Sequence, residues 1–161
     1  MQILNATPED YSTIAAIYNE YISLGNATME EKIHDEKDIV TWVKKFNERE
    51  KLYVMKTEEG VIGWGIIKRY SDRNGYRFAG ETAVYLTDAQ IGKGYGSQMK
   101  RFLIEECRKL EYGHLVAKIF AKNEASIQYN LKLGYTIVGT QDRIGFRNNE
   151  WQGVTILQLL L

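Results

Sequence analysis

A glycine-rich turn between a short apolar run and an amphipathic segment is the part of this sequence best suited to chemistry. The apolar run is Ala83–Leu86, which favours a β-strand, and the turn reads Gly92-Lys93-Gly94-Tyr95-Gly96. From Met99 onward, apolar side chains recur every three or four residues, which predicts a helix. Glycines let the backbone approach a ligand closely, and a helix start adds unpaired N–H groups and partial positive charge. The stretch therefore predicts a pyrophosphate-binding site.

The spacing within this turn excludes two familiar phosphate-binding motifs. A Walker loop has Ser or Thr directly after Gly-Lys, whereas Gly94 follows Gly92-Lys93. A dinucleotide-binding fingerprint requires a third glycine where Ser97 stands. A Gly-x-Gly-x-Gly turn alone is weak evidence, since a flexible loop entering a helix has the same composition. Motifs elsewhere in the chain are needed to distinguish a pyrophosphate-binding turn from a flexible loop.

Two motifs together resemble the GCN5-related N-acetyltransferase superfamily. The first is Ile91–Gly96 after Val84-Tyr85-Leu86, which is similar to the acetyl-CoA signature of that superfamily. The second is Asn123–Ile127 followed by Leu133-Gly134-Tyr135. Other pieces resemble the phosphinothricin N-acetyltransferase branch and span almost the whole chain: Ala6-Thr7, Ile17-Tyr18-Asn19, Tyr21-Ile22, Tyr76-Arg77 with Glu81, Gly145-Phe146-Arg147 and Trp151.

The pattern of elements agrees with the fold that this resemblance implies. A chain of 161 residues predicts a single domain, 1–161. We expect an α/β (α+β) acyl-CoA N-acyltransferase fold, in which helices flank a mixed, largely antiparallel sheet. The predicted elements, in order, are a strand at 1–6, helices starting near Thr7 and Asp35, strands at 52–56, 61–70 and 76–86, a helix after Gly96, a strand at 114–120, a helix capped by Asn123, and strands at 135–140 and 151–160.

Composition argues against several other classes of protein. The formal net charge is zero and no basic block occurs, so nucleic acid is not an expected partner. No signal peptide, long apolar run or lipidation motif is visible, so we expect no membrane association. The single cysteine, Cys107, cannot form an internal disulfide, which fits a cytoplasmic protein and a structural thiol. His34 and His114 lack metal-ligating neighbours, so no metal site is predicted.

The resemblance implies acetyl-CoA as cosubstrate and assigns its contacts. The backbone of Val84–Leu86 would pair with the pantetheine arm and stabilise the oxyanion, and Ile91–Ser97 would hold the pyrophosphate. Lys93 would lie near the 3′-phosphorylated end, although a solvated loop lysine is an equal alternative. The complete predicted set is Val84, Tyr85, Leu86, Ile91, Gly92, Lys93, Gly94, Tyr95, Gly96, Ser97, Asn123 and Ser126.

The resemblance also implies residues for the acceptor amine. Glu81 matches the glutamate of the Tyr-Arg…Glu pattern and is the candidate base, although a strand residue facing solvent is the alternative. Tyr76 and Arg77 would line the acceptor pocket, unless they are an exposed turn pair. Thr28 and Met29 lie in a loop that overhangs this pocket in the family, where phenylalanine is common at the position of Met29.

Two departures from the family pattern affect the mechanism. Asn130 stands where many members have a histidine or tyrosine, and an amide is a poor proton donor. The adjacent Tyr129 is the candidate general acid, although on a helix it points about 100° away. Water is the alternative source of the proton. The second departure is Ile91, which stands where arginine or glutamine usually begins the first motif, so phosphate binding should rely on backbone N–H groups.

The sequence therefore predicts an acetyl-CoA-dependent N-acetyltransferase that acts by direct attack of an amine on the thioester. The resemblance implies a small amino-acid-like acceptor such as phosphinothricin, methionine sulfone or methionine sulfoximine. The alternatives are a peptide or protein amine as acceptor, and a coenzyme A-binding regulatory module without catalysis. Family members often form dimers, and the apolar C-terminal strand 155–161 is a candidate contributor to a homodimer.

Overall fold

The computed structural model describes residues 1–161 and contains one seven-stranded sheet flanked by four α-helices. The strand order is β1-β2-β3-β4-β5-β7-β6, and every neighbouring pair is antiparallel except β4 and β5. This confirms the predicted fold class and order of elements. The elements are β1 Gln2–Asn5, α1 Tyr11–Leu24, α2 Glu36–Lys44, β2 Lys51–Thr57, β3 Gly60–Arg69, β4 Ala79–Leu86, α3 Tyr95–Lys109, β5 His114–Phe120, α4 Glu124–Lys132, β6 Thr136–Arg147 and β7 Glu150–Leu160.

The helices cover the two faces of the sheet with two separate apolar clusters. On one face, α1 and α2 pack against β2 and β3 through residues such as Ile14, Ile39 and Trp64. On the other face, α3 and α4 pack against the sheet. A Cβ at Gly65 would lie within 3.0 Å of Met99 and Leu103, so the glycine allows α3 to lie close to β3. None of the helices is long and apolar enough to cross a lipid bilayer.

Short polar side chains begin the helices where the sequence predicts. Asp35 accepts a hydrogen bond from the Asp38 N–H at 3.1 Å and starts α2. Asn123 accepts one from the Ser126 N–H at 3.2 Å and starts α4. Because local capping chemistry sets these boundaries, they can be derived from sequence.

Two predicted boundaries were wrong. The strand expected from Tyr76 begins at Ala79, because residues 74–76 form a 3₁₀ turn. The last two strands are longer than expected and meet at a turn centred on Asn148 and Asn149, whose φ angles are +52° and +60°. Positive φ at both central residues is typical of a tight hairpin turn, which asparagine tolerates.

Candidate active site

The central feature of the site is a cleft where β4 and β5 diverge. The two strands pair only from Ala79 to Glu81, opposite residues 114–116, and then separate. The space between them, named the coenzyme cleft after its predicted ligand, has a volume of about 500 Å³. Its lining comes from both strands, the glycine turn and the start of α4, so it brings together most of the residues predicted to bind acetyl-CoA. These are Val84, Tyr85, Leu86, Ile91, Gly92, Gly94, Gly96, Ser97, Asn123 and Ser126.

The pairing of β4 with β3 decides which backbone groups face this cleft. The Thr87 N–H donates to the Ile62 carbonyl, and this antiparallel ladder continues along β4. Backbone groups alternate between the two edges of a strand, so odd-numbered residues of β4 bond to β3 and even-numbered residues point toward β5. Because β5 no longer pairs with β4 beyond Glu81, the Val84 N–H and C=O face the cleft without a strand partner.

The two even-numbered neighbours of Val84 already have side-chain partners. The Tyr21 hydroxyl donates to the Leu86 carbonyl at 2.9 Å and accepts from the Leu86 N–H at 3.1 Å. The Lys100 ammonium lies 3.3 Å from the Thr82 carbonyl. Of the three β4 residues predicted to bind the coenzyme through their backbone, Val84 is therefore the one free to do so. The role of Tyr21 could not be predicted from sequence, since nothing local ties Tyr21 to Leu86, 65 residues further along the chain.

The glycine turn presents an open helix N-terminus to the cleft. Gly92 and Gly94 have φ angles of +81° and +84°, and a Cβ on either would meet no atom within 4 Å. Gly94 is the N-cap of α3, and no side chain caps this end. The first N–H groups of α3, from Tyr95 to Ser97, are thus available to an anion. The Lys93 ammonium donates to the Gln90 side chain at 3.2 Å on the exposed side of this turn.

The start of α4 forms the opposite wall. Asn130 is 1% exposed, donates from Nδ2 to the Ser126 carbonyl at 2.8 Å, and has no partner for its Oδ1. The Oδ1 atom can only accept a hydrogen bond and cannot supply a proton, so Asn130 does not replace the histidine or tyrosine acid expected at this position. Tyr129 is half-buried and lines the same cleft. Burial raises the pKa of its hydroxyl, which makes Tyr129 a weaker acid than a free phenol.

Glu81 lies on the other face of β4. Side chains alternate along a strand, so Glu81, Ala83 and Tyr85 share the face toward α1 and α2. The Glu81 carboxylate is 22% exposed and pairs with the Lys118 ammonium at 3.2 Å. Lys118 also lies 5.8 Å from the centre of the Tyr70 ring.

An aromatic cavity of about 320 Å³ lies on this second face. It shares Ala83 and Tyr85 with the coenzyme cleft, so only the strand β4 separates the two spaces. Trp64 is 2% exposed, and its indole N–H has no hydrogen-bond partner. The remaining lining combines aromatic and charged side chains: Tyr18, Trp42, Phe46, Glu30, Glu50, Lys45, Ile66 and Lys68.

The four residues predicted to bind the acceptor lie outside both spaces. Thr28 is buried and bonds to the Tyr18 hydroxyl at 3.0 Å. Met29 covers Gly145 of β6, where a Cβ would overlap its side chain. Tyr76 stacks edge-on against Tyr70, and Arg77 donates to the Asn74 carbonyl at 3.2 Å.

Thr28 still touches the aromatic cavity indirectly, because Tyr18 lines it. Tyr76 lines a third cavity, which shares Lys118 with the coenzyme cleft and is thereby close to Glu81. Arg77 lies over the Phe78 ring at 4.6 Å, away from both spaces. Neither Arg77 nor Met29 lines any of the three cavities.

Comparison with known proteins identifies the family. A family model described as an acetyltransferase (GNAT) domain matches residues 3–156. The chain belongs to the GNAT acetyltransferases. Similar proteins include an L-methionine sulfoximine/L-methionine sulfone acetyltransferase of Salmonella typhimurium, 28% identical over 100% of this chain and 95% of that protein.

Two solved structures superpose closely on this N-acetyltransferase. One is a ribosomal-protein-alanine N-acetyltransferase from Brucella melitensis, with a TM-score of 0.96, 28% identity and coverage of 100% of both chains. The other is a GNAT superfamily phosphinothricin acetyltransferase from Sinorhizobium meliloti in complex with AcCoA. It has a TM-score of 0.94 and 27% identity, with 99% of this chain and 88% of that chain covered.

Proposed function

We propose that this enzyme transfers the acetyl group of acetyl-CoA to the amine of a small amino-acid-like molecule. The observation that carries the proposal is the pair of cavities that meet at Ala83 and Tyr85. One cavity ends at an open helix N-terminus suited to a pyrophosphate, and the other is aromatic and small. A donor and an acceptor bound on opposite sides of β4 would meet at this strand.

The aromatic cavity supports an acceptor with an oxygen-bearing, partly apolar side chain. The unpartnered indole N–H of Trp64 would donate to a sulfone, sulfoximine or phosphinate oxygen, and the surrounding rings would contact methylene groups. The Salmonella typhimurium relative is a methionine sulfoximine/methionine sulfone acetyltransferase and the Sinorhizobium meliloti relative is a phosphinothricin acetyltransferase, which agrees with such acceptors.

In the proposed reaction, the acceptor amine attacks the thioester carbonyl carbon while held at β4. Glu81, on the acceptor face, accepts the ammonium proton directly or through water. The Val84 N–H faces the cleft and stabilises the oxyanion. The carbon–sulfur bond then breaks, and its electron pair stays on the sulfur of coenzyme A.

The test is thiol release from acetyl-CoA with L-methionine sulfone, phosphinothricin, L-methionine and a peptide with N-terminal alanine. We expect kcat/KM for the sulfone to exceed that for the peptide by about 100-fold, because the cavity near 320 Å³ is small for a peptide. Turnover of the peptide alone would favour a protein acceptor instead. Tight binding of acetyl-CoA without turnover of any amine would favour a coenzyme-binding module.

Replacing Trp64 with phenylalanine should raise the KM for methionine sulfone by about three- to tenfold. Phenylalanine supplies a smaller aromatic ring without the indole N–H, and a neutral hydrogen bond contributes about 1 kcal/mol. The KM for acetyl-CoA should not change, since Trp64 does not line the coenzyme cleft. Steady-state kinetics with both substrates varied checks this. Trp151→Phe, at an exposed position on β7, is the matched control, and an equal effect there would contradict the prediction.

We further propose that the chain forms a homodimer, and that it acts in the cytoplasm. The proposed contact is β6 rather than the C-terminal strand 155–161, because β7 lies inside the sheet between β5 and β6. β6 is the edge strand of the sheet, and its residues 136–144 are exposed on both faces. Ile137, Val138 and Ile144 are each more than 50% exposed. A long apolar edge strand invites pairing with another chain. Sedimentation analysis should give twice the mass of the chain, and Val138→Lys should shift it toward the monomer.

A further inference from the structure

Lys100 is a buried lysine that the mechanism above does not use. It lies on α3 and is 2% exposed among Met99, Leu103 and Ile104. Its ammonium lies 2.7 Å from the Thr82 hydroxyl and 3.3 Å from the Thr82 carbonyl, and it takes part in no ion pair. Lysine is rarely buried unless it pairs with an opposite charge, because taking an ammonium out of water is costly. A lysine kept under these conditions calls for a functional explanation.

The position of the Lys100 ammonium relative to the cleft suggests a function for this residue. Thr82 directly follows the last residue of β4 that pairs with β5, so Lys100 lies at the closed end of the cleft. The glycine turn that would hold the pyrophosphate follows the other end of β4. The four residue-to-residue steps of extended strand from Thr82 to Leu86 span about 13 Å. A pantetheine arm that runs along β4 from the glycine turn would therefore place its sulfur near Lys100.

We propose that Lys100 is a catalytic residue that donates a proton to the coenzyme A sulfur as the carbon–sulfur bond breaks. The electron pair of that bond stays on sulfur, and a proton moves from the Lys100 Nζ to it. Free coenzyme A thiol and a neutral lysine result. The lysine then regains a proton from solvent through the open cleft. This role rests on the proposed acetyl transfer.

The electrostatics of the cluster fit a proton donor. Burial lowers the pKa of Lys100 to about 8, which is close to the value of about 8.5 for an ordinary thiol. Proton transfer between groups of similar pKa is nearly isoenergetic. The titratable groups that face Lys100 are Cys107 on the same helix and Tyr135, whose ring centre lies 5.0 Å from the ammonium. Burial raises the pKa of both, so neither is charged near neutral pH.

The kinetic test compares Lys100→Met with Lys109→Met, an exposed lysine on the same helix. We expect Lys100→Met to lower kcat about 100-fold while the KM for acetyl-CoA stays within about threefold. The wild-type kcat should fall above about pH 8, and this limb should be absent in Lys100→Met. Lys109→Met should behave as wild type. Unchanged kcat in Lys100→Met would overturn the proposal.

A second variant separates proton donation from a structural role. The amide of Lys100→Gln can still donate hydrogen bonds to Thr82 but is not an acid. If Lys100 only holds Thr82 in place, Gln should restore most of the kcat that Met loses. We expect Gln to stay within about threefold of Met, and restored turnover would overturn the proposal.

A third measurement does not depend on turnover. The ultraviolet absorbance of the thiolate, followed against pH, gives the pKa of the thiol of bound coenzyme A. The Lys100 ammonium should lower that pKa by at least about one unit relative to Lys100→Met, a tenfold change in ionisation. Equal values in both proteins would overturn the proposal. This result stands even if no amine is acetylated, so it distinguishes failure of the Lys100 role from failure of the proposed function.

Discussion

Replacing Glu81 with glutamine is expected to lower kcat for methionine sulfone by about 10²–10⁴-fold near neutral pH, which is the range that a positioned base contributes. Glutamine has nearly the same shape but cannot accept the ammonium proton. The affinity for acetyl-CoA should be kept, because Glu81 lies on the face of β4 opposite the coenzyme wall formed by α3. Thiol release at saturating acetyl-CoA, with direct binding of the coenzyme measured in parallel, checks both parts.

The pH dependence of this variant tells which proton Glu81 removes. An α-amino group has a pKa of about 8, so free amine is abundant at alkaline pH. If Glu81 serves only to deprotonate the ammonium, the defect should shrink above this pH. Glu150→Gln is a suitable control, because Glu150 is exposed and also pairs with a lysine, Lys122. A loss of less than about threefold in Glu81→Gln would rule out Glu81 as the base.

Glu81 and Thr82 are neighbours in sequence but face opposite sides of β4. The proposed base therefore lies on the acceptor side, whereas the proposed acid, Lys100, reaches Thr82 from the α3 side. This arrangement separates the group that takes the amine proton from the group that protonates the thiolate. Two groups of opposite charge can then keep their different roles without neutralising each other.

The parts of the fold that depend on local chemistry could be predicted from sequence. Caps such as Asp35 and Asn123 satisfy the first N–H groups of helices, and the glycine turn needs positive φ at Gly92 and Gly94. The strand start at Tyr76 could not be predicted, because a 3₁₀ turn and a strand entry have similar composition. The end of β6 was missed because its hairpin turn is made by two asparagines without glycine.

The parts of the site that depend on distant packing could not be predicted. Periodicity placed Met99 and Leu103 on the buried face of α3, but it gave no reason to expect a buried charge at Lys100. The hydroxyl of Tyr21 reaches Leu86 only because α1 crosses the sheet near the end of β4. Nothing in the sequence distinguishes Trp64 from other strand residues, and its unpartnered N–H becomes informative only beside a cavity.

Replacing Lys100 with methionine should raise the free energy of unfolding by up to about 2 kcal/mol near pH 7, even as it lowers turnover. The pKa of Lys100 falls from 10.5 to about 8 on burial, which corresponds to about 3 kcal/mol of destabilisation. Methionine removes this cost, but it leaves the Thr82 carbonyl without its ammonium partner, which costs about 1–3 kcal/mol. Urea unfolding of both proteins at the same pH measures the difference.

The pH dependence identifies the cause of this gain. The folded state has the lower pKa, so the unfolded chain binds more protons between about pH 8 and the ordinary lysine value, and wild-type stability rises with pH across that interval. The cost of burying the ammonium is fully present below about pH 8 and is lost above about 10.5. The advantage of Lys100→Met should therefore shrink, and then reverse, as the pH rises. Lys109→Met should give no such gain at neutral pH, because hydrogen bonding to Glu106 raises the pKa of Lys109.

A Lys100→Met protein that is less stable than wild type at pH 7 would mean that the bonds to Thr82 outweigh the cost of the buried charge. Lys100 would then stabilise the fold as well as donate a proton to the coenzyme A sulfur.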